Sequence, residues 1–98
     1  MALKVIWTPQ ANEGLVKVIN YLEINWTKKE ILNLEQNINE LIERISKYPK
    51  ICPATLKYKN VRKGLVDKNN YIIYRIKPRI KTIEIINFRG TRQKPLNE

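Results

Sequence analysis

The periodicity of the chain changes once along its length, and that change decides what it can fold into. Up to Tyr48-Pro49 the apolar residues recur with a helical step, and beyond Pro53 they alternate as strand residues do. Helices and strands are therefore segregated in sequence, which predicts an α+β domain. In the helical half, Ala11, Leu15, Val18 and Leu22 fall at i, i+4, i+7 and i+11, while Ile31, Leu34, Ile38, Leu41 and Ile45 alternate steps of three and four. Each set draws one apolar stripe along a helix. Thr8-Pro9 is a start signal for the first helix, because threonine caps free N–H groups and proline is pre-set for the first turn. Thr27-Lys28-Lys29-Glu30 has the capping-box form for the second. Asn25 and Tyr48-Pro49 mark the stops, and Lys4-Val5-Ile6-Trp7 reads as a short strand before the hairpin.

In the second half, Leu56 to Val66, Tyr71 to Lys77 and Ile80 to Phe88 are β-rich runs, separated by Asp67-Lys68-Asn69-Asn70 and Pro78-Arg79. Connections this short and polar predict successive antiparallel strands. On the middle run, Ile72, Tyr74 and Ile76 are expected to face the helices, and Tyr71, Ile73, Arg75 and Lys77 the other side. Glu84 and Arg89 stand an odd number of positions apart, so simple alternation puts them on opposite sides. Gly90 is expected to release the chain into a basic C-terminal tail over residues 90–98. The whole of 1–98 then forms one domain: an N-terminal strand, a two-helix antiparallel hairpin and a three-stranded antiparallel meander. Together these make one four-stranded, mainly antiparallel sheet with the hairpin across one face.

Charge is distributed as unevenly as periodicity. Of a formal net charge of +10, residues 1–50 contribute almost nothing, with seven Lys/Arg against six Glu, whereas residues 51–98 hold twelve Lys/Arg against Asp67, Glu84 and Glu98. A field of that sign attracts phosphate backbones and acidic proteins. Cys52 is the only cysteine and there is no histidine, so neither an intramolecular disulfide nor a zinc set is expected. Cys52 reads as a small half-buried residue, and Trp7 and Trp26 as core anchors at the two ends of the first helix. No metal or other cofactor is expected. No run is long and apolar enough to span a bilayer, and Met1 to Pro9 lacks the apolar region of a signal peptide, so a cytoplasmic protein is expected.

Four segments, in this order and at these separations, carry a resemblance. They are Trp7-Thr8-Pro9-Gln10-Ala11, Val61-Arg62-Lys63-Gly64-Leu65, Tyr71-Ile72-Ile73-Tyr74-Arg75-Ile76, and Ile85-Ile86-Asn87-Phe88-Arg89-Gly90-Thr91-Arg92-Gln93-Lys94-Pro95. With the order of elements, they resemble the RelE/ParE superfamily of type II toxins over nearly the whole chain. The resemblance implies a growth-inhibiting toxin, a cognate antitoxin partner in a hetero-oligomer, and one of two targets. In the RelE branch it implies ribosome-dependent, metal-independent endoribonuclease action on mRNA, in which the ribose 2′-hydroxyl attacks the adjoining phosphate and Lys and Arg stabilise the developing charge. Ribosome and mRNA are the partners the resemblance favours, and inhibition of DNA gyrase, as in the ParE branch, is the alternative. Carried over by position, the candidate catalytic residues are Arg62, Lys63, Tyr71, Arg89 and Arg92, with Lys57, Lys59, Arg75 and Lys94 binding the target. Tyr71 stands where the ribonucleases carry a phosphate-binding arginine, and its hydroxyl supplies a hydrogen bond but no charge. A plain nucleic-acid-binding module without toxicity is the competing class that composition alone supports equally. For Arg75 and Lys77, keeping an exposed sheet from aggregating is the competing role.

Overall fold

The computed structural model describes residues 2–55, 58 and 60–90. Strand β1 (Lys4–Trp7) is followed by helices α1 (Pro9–Asn25) and α2 (Lys28–Lys47), then by strands β2 (Val61–Asp67), β3 (Asn70–Lys77) and β4 (Thr82–Gly90). The sheet order is β1-β4-β3-β2. β3 pairs antiparallel with both β2 and β4, whereas β1 pairs parallel with β4. Parallel neighbours cannot be joined by a tight turn, and here everything from α1 to β3 lies between them.

Both helices pack on one face of the sheet, α1 over β4 and α2 over β2. The stripes read from the sequence supply the contacts. Val18 and Leu22 from α1 and Leu34, Ile38, Leu41 and Ile45 from α2 are buried in one cluster with Ile72, Tyr74 and Ile76 of β3 and Ile83, Ile85 and Phe88 of β4. α1 comes closest to the sheet at Gly14, where any side chain would run into the backbone carbonyl of Phe88. A helix interior disfavours glycine by ~1 kcal/mol relative to alanine, so its position here answers to packing.

The strand boundaries differ from the alternation pattern in instructive ways. β2 begins at Val61; Leu56, Lys57 and Lys59 lie outside the described residues. Pro78–Ile80 forms one 3-10 turn, closed by Lys81 in the left-handed region at φ 51°, so β4 starts at Thr82 and not at Ile80. Gly90 does not release the chain: it stands opposite Asn70 in the ladder, and the expected tail beyond it lies outside the described residues. Thr27 sits at the N-cap of α2 but its side chain makes no capping bond, so the expected box does not close. Trp7 is half-buried, with its ring 6.3 Å from Phe88. Trp26 ends α1 with 44% of its surface exposed and is no core anchor.

The largest departure is in β4. Ile73 stands opposite Asn87 and Tyr74 opposite Ile85, which leaves Ile86 as one extra residue without a counterpart on β3. Such a bulge shifts the alternation by one. It lets Ile83, Ile85 and Phe88 all point into the core, each 2% exposed or less. Thr8 pins the bulge in place. Its N–H donates to the Ile85 carbonyl at 3.1 Å, and its hydroxyl donates to the same oxygen at 2.8 Å with the Ile86 carbonyl 3.1 Å away. The same hydroxyl oxygen accepts from Ala11 N–H at 3.2 Å, so one side chain both starts α1 and ties it to β4.

Candidate functional site

Among the described residues, the helix-free face of the sheet collects most of the basic residues read from the sequence. β3 sends Tyr71, Ile73, Arg75 and Lys77 there, as its period of two requires. β2 adds Lys63 and the 67%-exposed Leu65. Because of the bulge, β4 adds both Arg89, opposite Tyr71, and Glu84, opposite Arg75. Glu84 and Arg89 therefore share a face, contrary to simple alternation. The one signal for this was the step of three from Ile85 to Phe88 in a strand otherwise stepping by two.

Two of these side chains meet. The Lys63 ammonium sits 4.1 Å from the centre of the Tyr71 ring, an arrangement worth ~0.5–1 kcal/mol at an exposed site. Tyr71 is 9% exposed, so its ring is a base under Lys63 and not an open stacking platform. Arg89 stands opposite Tyr71 on the neighbouring strand β4. Arg75 is exposed one ladder step beyond Ile73, and Lys77 is bonded to Glu84 at 3.1 Å. That pair is partly exposed and contributes little stability, but it neutralises the carboxylate nearest the cations.

Arg62 goes elsewhere. It stands on the helix side of β2, paired with Tyr74, and its guanidinium donates to the carbonyls of Lys50, at 3.2 Å, and Cys52. The Tyr74 hydroxyl donates to the Pro49 carbonyl at 2.8 Å. Two strand residues thus hold the connection that leaves α2, satisfying three carbonyls that no helix or sheet pairs. Tyr74 is fully buried, and burial, with the Cys52 thiol beside it, pushes its phenol well above the ordinary tyrosine range. Cys52 is half-buried, against Gly64 and Tyr74.

Of the nine residues singled out from the sequence, Lys63, Tyr71, Arg75 and Arg89 are brought together and Arg62 is not. Lys57, Lys59, Arg92 and Lys94 lie outside the described residues. Among the described residues no three His, Cys, Asp or Glu side chains gather as a metal site would require, and no helix is long and apolar enough to cross a membrane.

The model of the ParE toxin family, described as the ParE toxin of the type II toxin–antitoxin system parDE, matches residues 5–95. The chain belongs to that family. It is accordingly the toxin of a type II toxin–antitoxin system, with the RelE/ParE fold. No curated protein sequence matches it. Among solved structures, it is similar to the chromosomal ParDE system of P. aeruginosa, with a TM-score of 0.73 at 16% identity over 91% of this chain and 96% of that one. It is also similar to the RelBE2 toxin–antitoxin complex of Mycobacterium tuberculosis, with a TM-score of 0.67 at 15% identity, over 92% of this chain and 99% of that one. E. coli RelE gives a TM-score of 0.66 at 11% identity, over 92% of this chain and 84% of that one. At such identities the likeness is one of fold. What distinguishes this ParE-family toxin must be read from its own side chains, above all the Lys63-Tyr71-Arg89 face and the inward Arg62.

Proposed function

We propose that this toxin arrests growth by binding its target through the helix-free sheet face, in the manner of a gyrase inhibitor and not of a ribonuclease, and that a cognate antitoxin neutralises it in a hetero-oligomer. The observation that carries the reading is the inward turn of Arg62, whose Nη1 donates to the Lys50 and Cys52 carbonyls. With Tyr71 in place of a phosphate-binding arginine, the face keeps Lys63, Arg75 and Arg89 of the expected cations and, among the described residues, loses Arg62. RNA cleavage also needs a group that accepts the 2′-hydroxyl proton. Glu84, the carboxylate on this face, is 3.1 Å from Lys77 and aligned with Arg75, away from Tyr71. A rigid face with fixed positive charge and exposed Leu65 and Ile6 suits recognition of a protein or nucleoprotein surface better than acid–base chemistry. Arg92, Lys94, Lys57 and Lys59 add positive charge close by in sequence, and the cytoplasm is where such a target is met.

The test is induced expression with two readouts: supercoiling by purified gyrase, and the 5′ ends of mRNA on ribosomes. Lost supercoiling with intact messages is expected, and Lys63→Ala is expected to weaken inhibition by about tenfold, the equivalent of one charge-assisted contact of ~1.4 kcal/mol. Codon-phased cleavage that disappears in Arg89→Ala would overturn the reading in favour of ribosome-dependent RNA cleavage.

A further inference from the structure

The hairpin of α1 and α2 leaves apolar surface at its closed end that the sheet does not cover. The two helices are joined by Trp26 and Thr27 alone, and the stripes that face the core take in Leu22 before that link and Ile31 after it. Ile24 and Leu32 stand off those stripes, about 200° and 100° round their helices. They are 82% and 56% exposed, with the exposed Trp26 between them in sequence. Single apolar residues are ordinary at a surface, but here they gather within residues 24–32. An open recess of about 410 Å³ is lined by Trp26, Ile31 and Leu32 together with Glu23, Lys28 and Glu35. Among the described residues the ion pairs are Lys47 with Glu43 and Lys77 with Glu84. The recess therefore holds charges of both signs beside its apolar surface, none of them ion-paired within the described residues.

We propose that the closed end of the hairpin docks on a second copy of this chain about a two-fold axis. Trp26 and Leu32 of each copy are covered by the other, and Lys28 of each meets Glu23 or Glu35 of the other. Charge selects the occupant. A two-fold contact brings a patch against itself, so the patch must be its own complement, and one that holds a cation together with carboxylates meets that condition. The same operation in the second half of the chain sets cation against cation, since residues 51–98 hold twelve Lys/Arg against Asp67, Glu84 and Glu98. Residues 20–36 hold Lys28 and Lys29 against Glu23, Glu30 and Glu35, so here two chains of net charge +10 approach with little repulsion. An acidic protein, drawn to the chain as a whole, meets Glu23 and Glu35 at this place. The area is modest: three partly exposed side chains offer less than the ~800 Å² per partner of a stable complex, so the dimer forms with rising concentration. Both helices pack on one face of the sheet, and a dimer joined at the hairpins leaves the helix-free face of each copy open. It presents two such faces at once, which strengthens inhibition through avidity. This last consequence rests on the functional reading of that face given above; the dimer does not.

The test is sedimentation equilibrium of the full chain from micromolar to millimolar concentration, with tryptophan emission followed in parallel. The mass is expected to double as concentration rises, and the emission to move to shorter wavelength over the same range as Trp26 leaves water. Leu32→Glu is expected to raise the dissociation constant at least about tenfold. Lys28→Glu and the double variant Glu23→Lys/Glu35→Lys are each expected to weaken association by a similar factor, because each sets like charges against one another. An equimolar mixture of those two variants is expected to associate as the unaltered chain does, since the charges are complementary again. All four positions are exposed on their helices, and circular dichroism checks that each variant is folded. A chain that stays monomeric at millimolar concentration overturns the proposal. So does association that Leu32→Glu leaves unchanged, or a mixture no tighter than either variant alone. Association strengthened by Lys28→Glu also overturns it and makes the basic half of another copy the occupant. None of these readouts involves the toxin's target, so a failed gyrase assay leaves them standing.

Discussion

Arg62 and Lys63 are neighbours on one strand with similar chemistry, and the pleat of the sheet sends them to opposite fates. Arg62, on the helix side, is tied to two backbone carbonyls and holds the chain between α2 and β2 in place. Lys63, on the other side, sits over Tyr71 and lines an open groove. The two sides of the sheet divide labour in the same way. One buries isoleucines, Tyr74 and Phe88 under the helices and accounts for much of the stability, and the other displays Lys63, Arg75 and Arg89. Residue type alone thus does not say which surface a cation of the second strand serves; the side of the pleat decides.

The sharpest way to break this division is to change the phase of β4. Deleting Ile86 removes the bulge, so that either Glu84 turns into the core or Phe88 turns out of it. The expected loss exceeds ~5 kcal/mol, most of what a domain of this size has, and circular dichroism should show no cooperative unfolding. Gly14→Ala tests the helix side alone: its methyl meets the Phe88 carbonyl, and a shift of the urea midpoint equivalent to about 3 kcal/mol is expected. Arg62→Ala should cost about 2 kcal/mol by leaving the Lys50 and Cys52 carbonyls without their donor. The paired Lys63→Ala should change stability by no more than ~1 kcal/mol, the worth of its contact with the Tyr71 ring, while reducing target inhibition. If the two substitutions destabilise equally, the division between the two sides fails.

The pH-dependent effect concerns Tyr74. Burial raises its phenol above its value in the unfolded chain, so the folded state holds the proton more tightly. Its contribution is complete below about pH 10 and is lost as pH rises beyond that toward the folded value. Urea titrations at increasing alkalinity should show falling stability above that pH, with a shallower fall in Tyr74→Phe, whose own loss at neutral pH is the Pro49 hydrogen bond, ~1 kcal/mol.

Much of this molecule was legible in its sequence. The two helical stripes, their stops at Asn25 and Tyr48, the alternation of Ile72, Tyr74 and Ile76, and the concentration of positive charge after residue 50 all follow from local pattern, because period and charge are properties of the chain itself. The tertiary structure decided the rest. That Ile86 is an extra residue, that Glu84 consequently shares a face with Arg89, and that Arg62 turns toward the Lys50 and Cys52 carbonyls depend on which strand stands opposite which. A bulge is defined by its partner strand, and an arginine by the acceptors that long-range folding brings within reach.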